Sequence, residues 1–284
     1  MNVLITGGGG QLGKSLAKVL QEANANVYSY SKSELDITNM EDVRRAFQEA
    51  MPDYVYHAAA YTAVDECEKK IKKAYDINTV GTLNVAKESS KYGACLFYMS
   101  SDYVFDGESQ TAYTEVSEPN PKSVYGLSKW IGERVVQASL STYYIVRTSW
   151  LYGHGGKNFV KTMRRLGLTN KEIQVVNDQT GSPTYVEDLT KVLLQLIGKP
   201  YGIYHISNSG SCSWYEFAKT IYLLSGADPE LVKPTTAEEY GALAPRPVYS
   251  VLSMDRLEAC GIQKPQYWLD AVKEFIEKEE WVDD

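Results

Sequence analysis

The sequence predicts an α/β protein built on a doubly wound parallel sheet. Short apolar runs alternate with amphipathic stretches through the first 150 residues. That alternation signals parallel strands covered by helices on both faces. A glycine-rich turn joins the first apolar run to the first amphipathic stretch. Beyond Trp150 the alternation fades, so the full expectation is a Rossmann-like sheet with a smaller C-terminal substrate-binding lobe.

The elements follow in order. Asn2–Thr6 is an apolar run ending in glycines and reads as a buried strand. Leu12, Leu16, Val19 and Leu20 then form a helical stripe. Asn26–Tyr30 is a second strand, residues 42–50 a helix, and residues 53–60 a third strand running into small residues. Residues 65–91 read mostly as helix, Ala94–Ser101 as a fourth strand, 122–139 as a helix and Tyr143–Ser149 as a fifth strand. The tail adds a helix over Thr184–Ile197, a strand over Gly202–Ser207, a helix over 213–226, a loop rich in Pro and Ala, and a last helix near 269–280.

Bulk properties narrow the function. With 284 residues, 44% hydrophobic and 23% charged, the chain has ordinary globular composition and length enough for a sizeable core. A net charge of -7 argues against nucleic-acid and membrane-surface partners, which select basic faces. Cys67, Cys95, Cys212 and Cys260 are far apart, with no C-x-x-C. They predict structural thiols in a reducing compartment. No run of about 18 apolar residues and no signal-like N-terminus occurs, so a cytoplasmic protein is expected.

Gly7, Gly10 and Gly13 are spaced G-x-x-G-x-x-G between the first strand and the first helix. Glycines there permit a tight turn and close approach of backbone to a pyrophosphate at a helix N-terminus. Dinucleotide binding is the prediction. Gly8 to Ser15 also matches G-x-x-x-x-G-K-S formally. A P-loop reading would set phosphates on Lys14 and needs a metal-binding acid at a later strand end, where only Asp102 could serve. The tip of the second strand carries Ser31 and Lys32 rather than an acid, with Asp36 further on. An acid at the tip would favour NAD, whereas Lys32 suits a 2′-phosphate. NADPH is therefore expected, with NADH left open.

Ser100, Ser101 and Asp102 end the fourth strand, where ligand chemistry belongs in such a sheet. Tyr125 and Lys129 follow at helical i, i+4 spacing. A phenol ordinarily titrates near ~10. A neighbouring ammonium is expected to lower that value, so that Tyr125 exchanges a proton with a carbonyl oxygen near neutral pH. Ser101 would orient the same oxygen.

These motifs, with "HAAAYTAVDECE", "SSDYVFDG", "YGLSKWIGE", "VRTSWLYG" and "DQTGSPTYVEDL", resemble the extended short-chain dehydrogenase/reductase family, and within it the dTDP-4-dehydrorhamnose reductases. The resemblance covers nearly the whole chain. It implies Tyr125, Lys129 and Ser101 as catalytic residues. It implies that Gly7, Gly10, Gln11, Leu12, Asp36, Ala59, Ala60, Tyr61 and Asn78 line the cofactor, with Lys129 also on the nicotinamide ribose. Asp102, Tyr103 and Trp150 would face the sugar, and Arg246 the nucleotide end. Lys161 and Arg164 are further candidate cations for the diphosphate. Residues 1–149 with about 178–206 would form the dinucleotide-binding domain, and about 150–177 with 207–284 the sugar-nucleotide lobe. The implied reaction reduces a dTDP-4-keto sugar at C4. Some family members hold magnesium at a dimer interface through a carboxylate just after the glycine loop. Ser15 stands at that position here, so neither metal nor dimer is carried over, and monomer and homodimer both stay open.

Other functions of the same fold fit less well. A dehydratase needs a second carboxylate after Asp102, where this chain has Tyr103. "SSDYVFDG" is atypical of an epimerase. A non-catalytic relative, the regulatory subunit of methionine adenosyltransferase, keeps the Tyr/Lys motif, and Trp150 as a sugar platform is the feature that argues against it. His57 reads as a core histidine, while His154 and His205 lack partners at metal-ligand spacing. Glu66, Glu68, Lys69 and Lys70 read as a solvated helix face.

Overall fold

In the computed structural model, which describes residues 1–279, the first strand β1 (Asn2–Thr6) alternates its side chains between two cores. Val3 and Ile5 pack with Leu16 and Leu20 of helix α1 (Gln11–Glu22) and with Leu189 and Leu193 of helix α8 (Val186–Gln195). Leu4 packs on the opposite face with Val43 and Phe47 of α2 (Met40–Ala50) and Val85 of α5 (Thr82–Tyr92). Burial on both faces is why the strand is apolar throughout.

The remaining strands are β2 (Asn26–Tyr30), β3 (Tyr54–His57), β4 (Cys95–Ser101), β5 (Tyr143–Thr148) and the strand Gly202–His205. All pair in parallel, in the order Gly202–His205, β5, β4, β3, β1, β2. The chain leaves β1 toward β2 on one side and reaches β3 on the other. The glycine loop after β1 and the alanines after β3 therefore meet at a topological switch point, where such sheets open a ligand crevice.

A third core lies outside the sheet. Tyr152, Val160, Phe217, Tyr222, Trp268 and Phe275 bring together α7 (Phe159–Leu168), α9 (Trp214–Leu224) and the helix Trp268–Lys278.

Four expected boundaries shift for local reasons. Residues 65–91 divide into α3 (Val64–Lys69), α4 (Ile71–Tyr75), a π turn over Asp76–Gly81 and α5. The helix expected over 122–139 is α6 (Val124–Ser139), because the Ser123 hydroxyl caps it by accepting from Gly126 N–H at 3.1 Å. The helix expected from Thr184 starts at Val186, because Thr184–Tyr185 pairs as a short strand with Leu151–Tyr152. The last helix ends at Lys278, and residue 280 lies outside the described residues.

Candidate active site

A cavity of about 820 Å³ opens at the carboxyl edge of β1, β3 and β4. Its floor is the glycine loop. Gly7 has φ +74, and a Cβ there would lie 2.7 Å from the Ala59 nitrogen. A Cβ on Gly13 would lie 2.4 Å from the Gly7 carbonyl oxygen. No side chain caps the N-terminus of α1. A bare helix start under a loop that tolerates only hydrogen at these positions fits a dinucleotide pyrophosphate. Gly7, Gly10, Gln11, Leu12, Lys32, Asp36, Ala59, Ala60 and Tyr61 all line the cavity. Asp36 is turned to its own loop, where Oδ1 accepts from Thr38 N–H at 2.9 Å and from the Thr38 hydroxyl at 2.7 Å.

Lys14 does not line the cavity; its Nζ donates to the Gly155 carbonyl at 3.2 Å. The P-loop reading therefore has no lysine for its phosphates. Asn78, expected on the cofactor, is buried behind the wall. Its Oδ1 accepts from Tyr61 N–H at 2.8 Å. Its Nδ2 donates to the Tyr61 carbonyl at 3.1 Å and the Ser128 hydroxyl at 2.9 Å. Ser128 in turn donates to the Tyr125 carbonyl at 2.7 Å. Asn78 thus holds the wall loop against α6, and the π turn is the local distortion on which it sits.

Ser101, Asp102, Tyr103, Tyr125 and Lys129 converge on the wall opposite the glycine loop. The Tyr125 ring meets Tyr103 edge to face, with centroids 5.4 Å apart. Lys129 Nζ lies 4.3 Å from the centre of the Tyr98 ring. The Ser101 hydroxyl donates to Asp102 Oδ1 at 2.9 Å and accepts from Tyr103 N–H at 3.2 Å. Asp102 Oδ2 is buried without a well-formed hydrogen bond, with the Ser250 side chain near enough to favour the carboxylate, which leaves capacity for a ligand donor.

The electrostatics correct one expectation. Burial pushes the Tyr125 phenol above its ordinary value, against a smaller opposing effect of the Ser101 hydroxyl. The lysine does not lower it in the ligand-free protein. Lys129 itself is driven down to about 7 by burial, with Glu133 opposing. Asp102 is pushed up to about 6 by burial. All three groups therefore sit in a site that disfavours charge until a ligand arrives.

Trp150 lines the cavity with φ +48, a left-handed backbone rare for a large side chain. Its indole stacks on Trp214, with centroids 3.6 Å apart and planes 12° apart. A Cβ on Gly181 would lie 2.7 Å from that indole. The second tryptophan was not legible in the sequence, since 64 positions separate it from Trp150. Arg246 does not line the cavity. It reaches Asp65 Oδ1 at 3.2 Å and Oδ2 at 2.8 Å, so its cation is already paired. Lys161 is paired with Glu279. The cations that do line the cavity are Lys32, Lys73, Lys129 and Lys157.

The histidines are structural. The His57 ring bridges the hydroxyls of Thr6 and Thr82 at 2.7 and 3.1 Å. His205 is buried within the core, and His154 contacts Glu279 and the Tyr185 hydroxyl. Among the described residues no group of three or more His, Cys, Asp or Glu could hold a metal, and no helix is long and apolar enough to cross a membrane. Glu68 is not a solvated face residue: its Oε1 accepts from Val124 N–H at 2.8 Å and so helps cap α6.

Comparison with known proteins adds a family. The RmlD substrate binding domain model matches residues 1–280. The spore coat polysaccharide biosynthesis protein SpsK of Bacillus subtilis is 46% identical over 97% of this chain and 97% of its own. A dTDP-4-dehydrorhamnose reductase of Streptomyces griseus is 41% identical over 95% of this chain and 91% of its own. The crystal structure of dTDP-4-dehydrorhamnose reductase from Bacillus anthracis in complex with NADP superposes with a TM-score of 0.95 at 46% identity, covering 98% of this chain and 99% of that one.

Proposed function

The chain belongs to the RmlD substrate binding domain family, and from that premise we propose that it reduces the C4 keto group of dTDP-4-dehydro-L-rhamnose to give dTDP-L-rhamnose, with NADPH as reductant. The observation that carries this reading is the convergence of Ser101, Tyr125 and Lys129 with the glycine loop around one cavity that also holds Trp150 and an Asp102 carboxylate oxygen without a well-formed hydrogen bond.

NADPH, when bound, supplies the hydride. Gly7, Gly10 and Gln11 at the start of α1 would hold its pyrophosphate, Lys32 and Asp36 its adenosine end, and Ala59, Ala60, Tyr61 and Lys129 its nicotinamide half. Tyr125 gives its phenolic proton to the C4 oxygen as charge develops there. Ser101 donates to the same oxygen once its hydroxyl turns from Asp102, and Lys129 stabilises the phenolate left behind. A phenol held neutral by burial is a proton donor in the right state for reduction. Asp102 Oδ2 accepts from a sugar hydroxyl, Tyr103 closes the wall behind it, and the Trp150–Trp214 pair supports the apolar face of the ring. Lys73 and Lys157 offset the diphosphate, replacing Arg246 in that part. On this reading residues 1–149 with about 178–206 carry the dinucleotide, and about 150–177 with 207–284 the sugar nucleotide.

NADPH consumption with dTDP-4-dehydro-L-rhamnose tests the proposal. Turnover is expected, together with a loss of at least ~100-fold in Tyr125→Phe, the usual scale for a missing general acid. Dinucleotide binding without turnover would instead support a binding module.

A further inference from the structure

From Ser100, which lines the cavity, a chain of buried polar groups that the reaction above leaves unused runs back behind the wall. Glu133 stands one helical turn after Lys129 on α6 and is 2% exposed. Its Oε1 accepts from the Ser100 hydroxyl at 2.6 Å and from Arg147 Nε at 2.9 Å. Its Oε2 accepts from Arg147 Nη2 at 2.7 Å. Arg147 belongs to β5, and its guanidinium also lies 5.0 Å from the Phe105 ring centre and 3.4 Å from His205 Nε2. His205 Nδ1–H is directed at the carbonyls of Tyr113 and Ser253, each at 3.1 Å, so Nε2 is left to accept from Arg147.

Through Glu133, Ser100 ties β4 and Arg147 ties β5 to α6. Ser100 immediately precedes Ser101 on β4. Glu133 shares a helix face with Tyr125 and Lys129 at i+8 and i+4. The bidentate pair with Arg147 fixes that face against β5 as well. We propose that Glu133 is a positioning residue of the reductase site, which holds the Tyr125–Lys129 face of α6 in register with the end of β4 and opposes loss of the Lys129 ammonium proton. The catalytic half of this inference rests on the reductase reading; the electrostatic half does not.

A carboxylate is needed for the second task because of what else faces Lys129. From β3 comes His57, neutral at working pH because burial drives it down to about 3. From β4 comes the Tyr98 ring, and from α6 itself Tyr125 and Glu133. The π turn contributes Asn78 and Thr79, which do not titrate, while its Asp76 is paired at the surface with Lys72. Asp102 lines the same cavity with a carboxyl pushed up to about 6. Glu133 is thus the anion on the same helix face, although Arg147 behind it tempers its field. Lys129, already down at about 7, loses its ammonium sooner when that anion is removed.

The test uses the full-length protein without ligand. The Lys129 side chain is labelled with ¹³C at Cε, assigned by its disappearance in Lys129→Ala, and titrated. In Glu133→Gln its midpoint is expected to fall by about one pH unit. An unchanged midpoint overturns the electrostatic half, whether or not the protein turns over the 4-keto sugar. Ser100→Ala keeps the charge and removes the tie of Glu133 to β4, leaving the Tyr98 hydroxyl donating to the Lys129 carbonyl at 3.1 Å. It is expected to lower kcat about tenfold, with NADPH binding and the Lys129 midpoint unchanged. An unchanged kcat in an active parent overturns the positioning half, and remains decisive if Glu133→Gln does not fold. An inactive parent sinks the reductase reading itself and leaves the titration result standing.

Discussion

Two groups of buried polar side chains lie side by side at the end of β4, and neighbouring residues of one strand feed both. Ser100 enters the group with Glu133, Arg147 and His205, in which each residue is hydrogen-bonded to the next. Ser101 and Asp102 enter the group with Tyr125 and Lys129, in which Asp102 Oδ2 lacks a well-formed hydrogen bond and Lys129 is compensated in part by the Tyr98 ring and by Glu133. Burial is similar in the two, with Glu133 and Asp102 each 2% exposed. The contrast lies in satisfaction. A bidentate partner offsets the desolvation of a buried charge, while a buried charge without one shifts toward neutrality. The satisfied group is therefore a frame, and the unsatisfied group is where a ligand supplies what the protein withholds.

Breaking the frame has the largest expected effect. Arg147→Met leaves the Glu133 carboxylate buried against Ser100 alone, and removing one partner of a buried pair costs about 3–5 kcal/mol. Urea unfolding should show that loss. The double variant Arg147→Met/Glu133→Leu removes both charges and should recover a large part of it. If the double variant is as unstable as the single one, the cost comes from packing of Arg147 on Phe105 rather than from an orphaned charge.

The open group should behave in the opposite way. In the folded chain Asp102 titrates at about 6, above the ~3.9 of a free carboxyl. Between those values the folded state binds more protons than the unfolded state, so this residue makes stability fall as pH rises through the window. The full penalty above it is up to about 3 kcal/mol at 1.36 kcal/mol per unit. Asp102→Asn does not titrate. Its stability relative to the parent should therefore be better at neutral pH than near pH ~4, while reductase activity drops. A difference that does not change with pH would mean that the carboxylate is solvated or partnered in solution.

The same contrast explains what could be read from the chain. The sheet, the glycine loop and the Tyr125–Lys129 face depend on periodicity and spacing over a few residues, so β1 to β5 and most of the cavity floor were legible. Glu133 was visible at i+4 from Lys129 in "YGLSKWIGE", but its meaning depends on Arg147, which another strand delivers. Trp214 depends on the third core bringing α9 beside Trp150. Arg246 carried a charge suited to a phosphate, yet Asp65, 181 positions away, takes it. The direction of the Tyr125 shift was misread for a related reason. Proximity to a cation follows from spacing, whereas desolvation is set by every element around the ring.

The smallest effect is expected at the rim, where neither kind of burial applies. Lys32 is exposed on the cavity edge near Asp36. An ion pair in such a setting is worth about 1 kcal/mol at most, roughly fivefold in binding. Lys32→Ala should weaken NADPH by about that factor and leave NADH unchanged, as measured by fluorescence titration of the two dinucleotides. Because the contact is exposed, its contribution should also shrink as salt is raised, unlike anything expected of Glu133 or Asp102. Equal weakening of both dinucleotides would remove Lys32 from 2′-phosphate recognition and leave the preference for NADPH to the backbone and hydroxyls of the loop after β2.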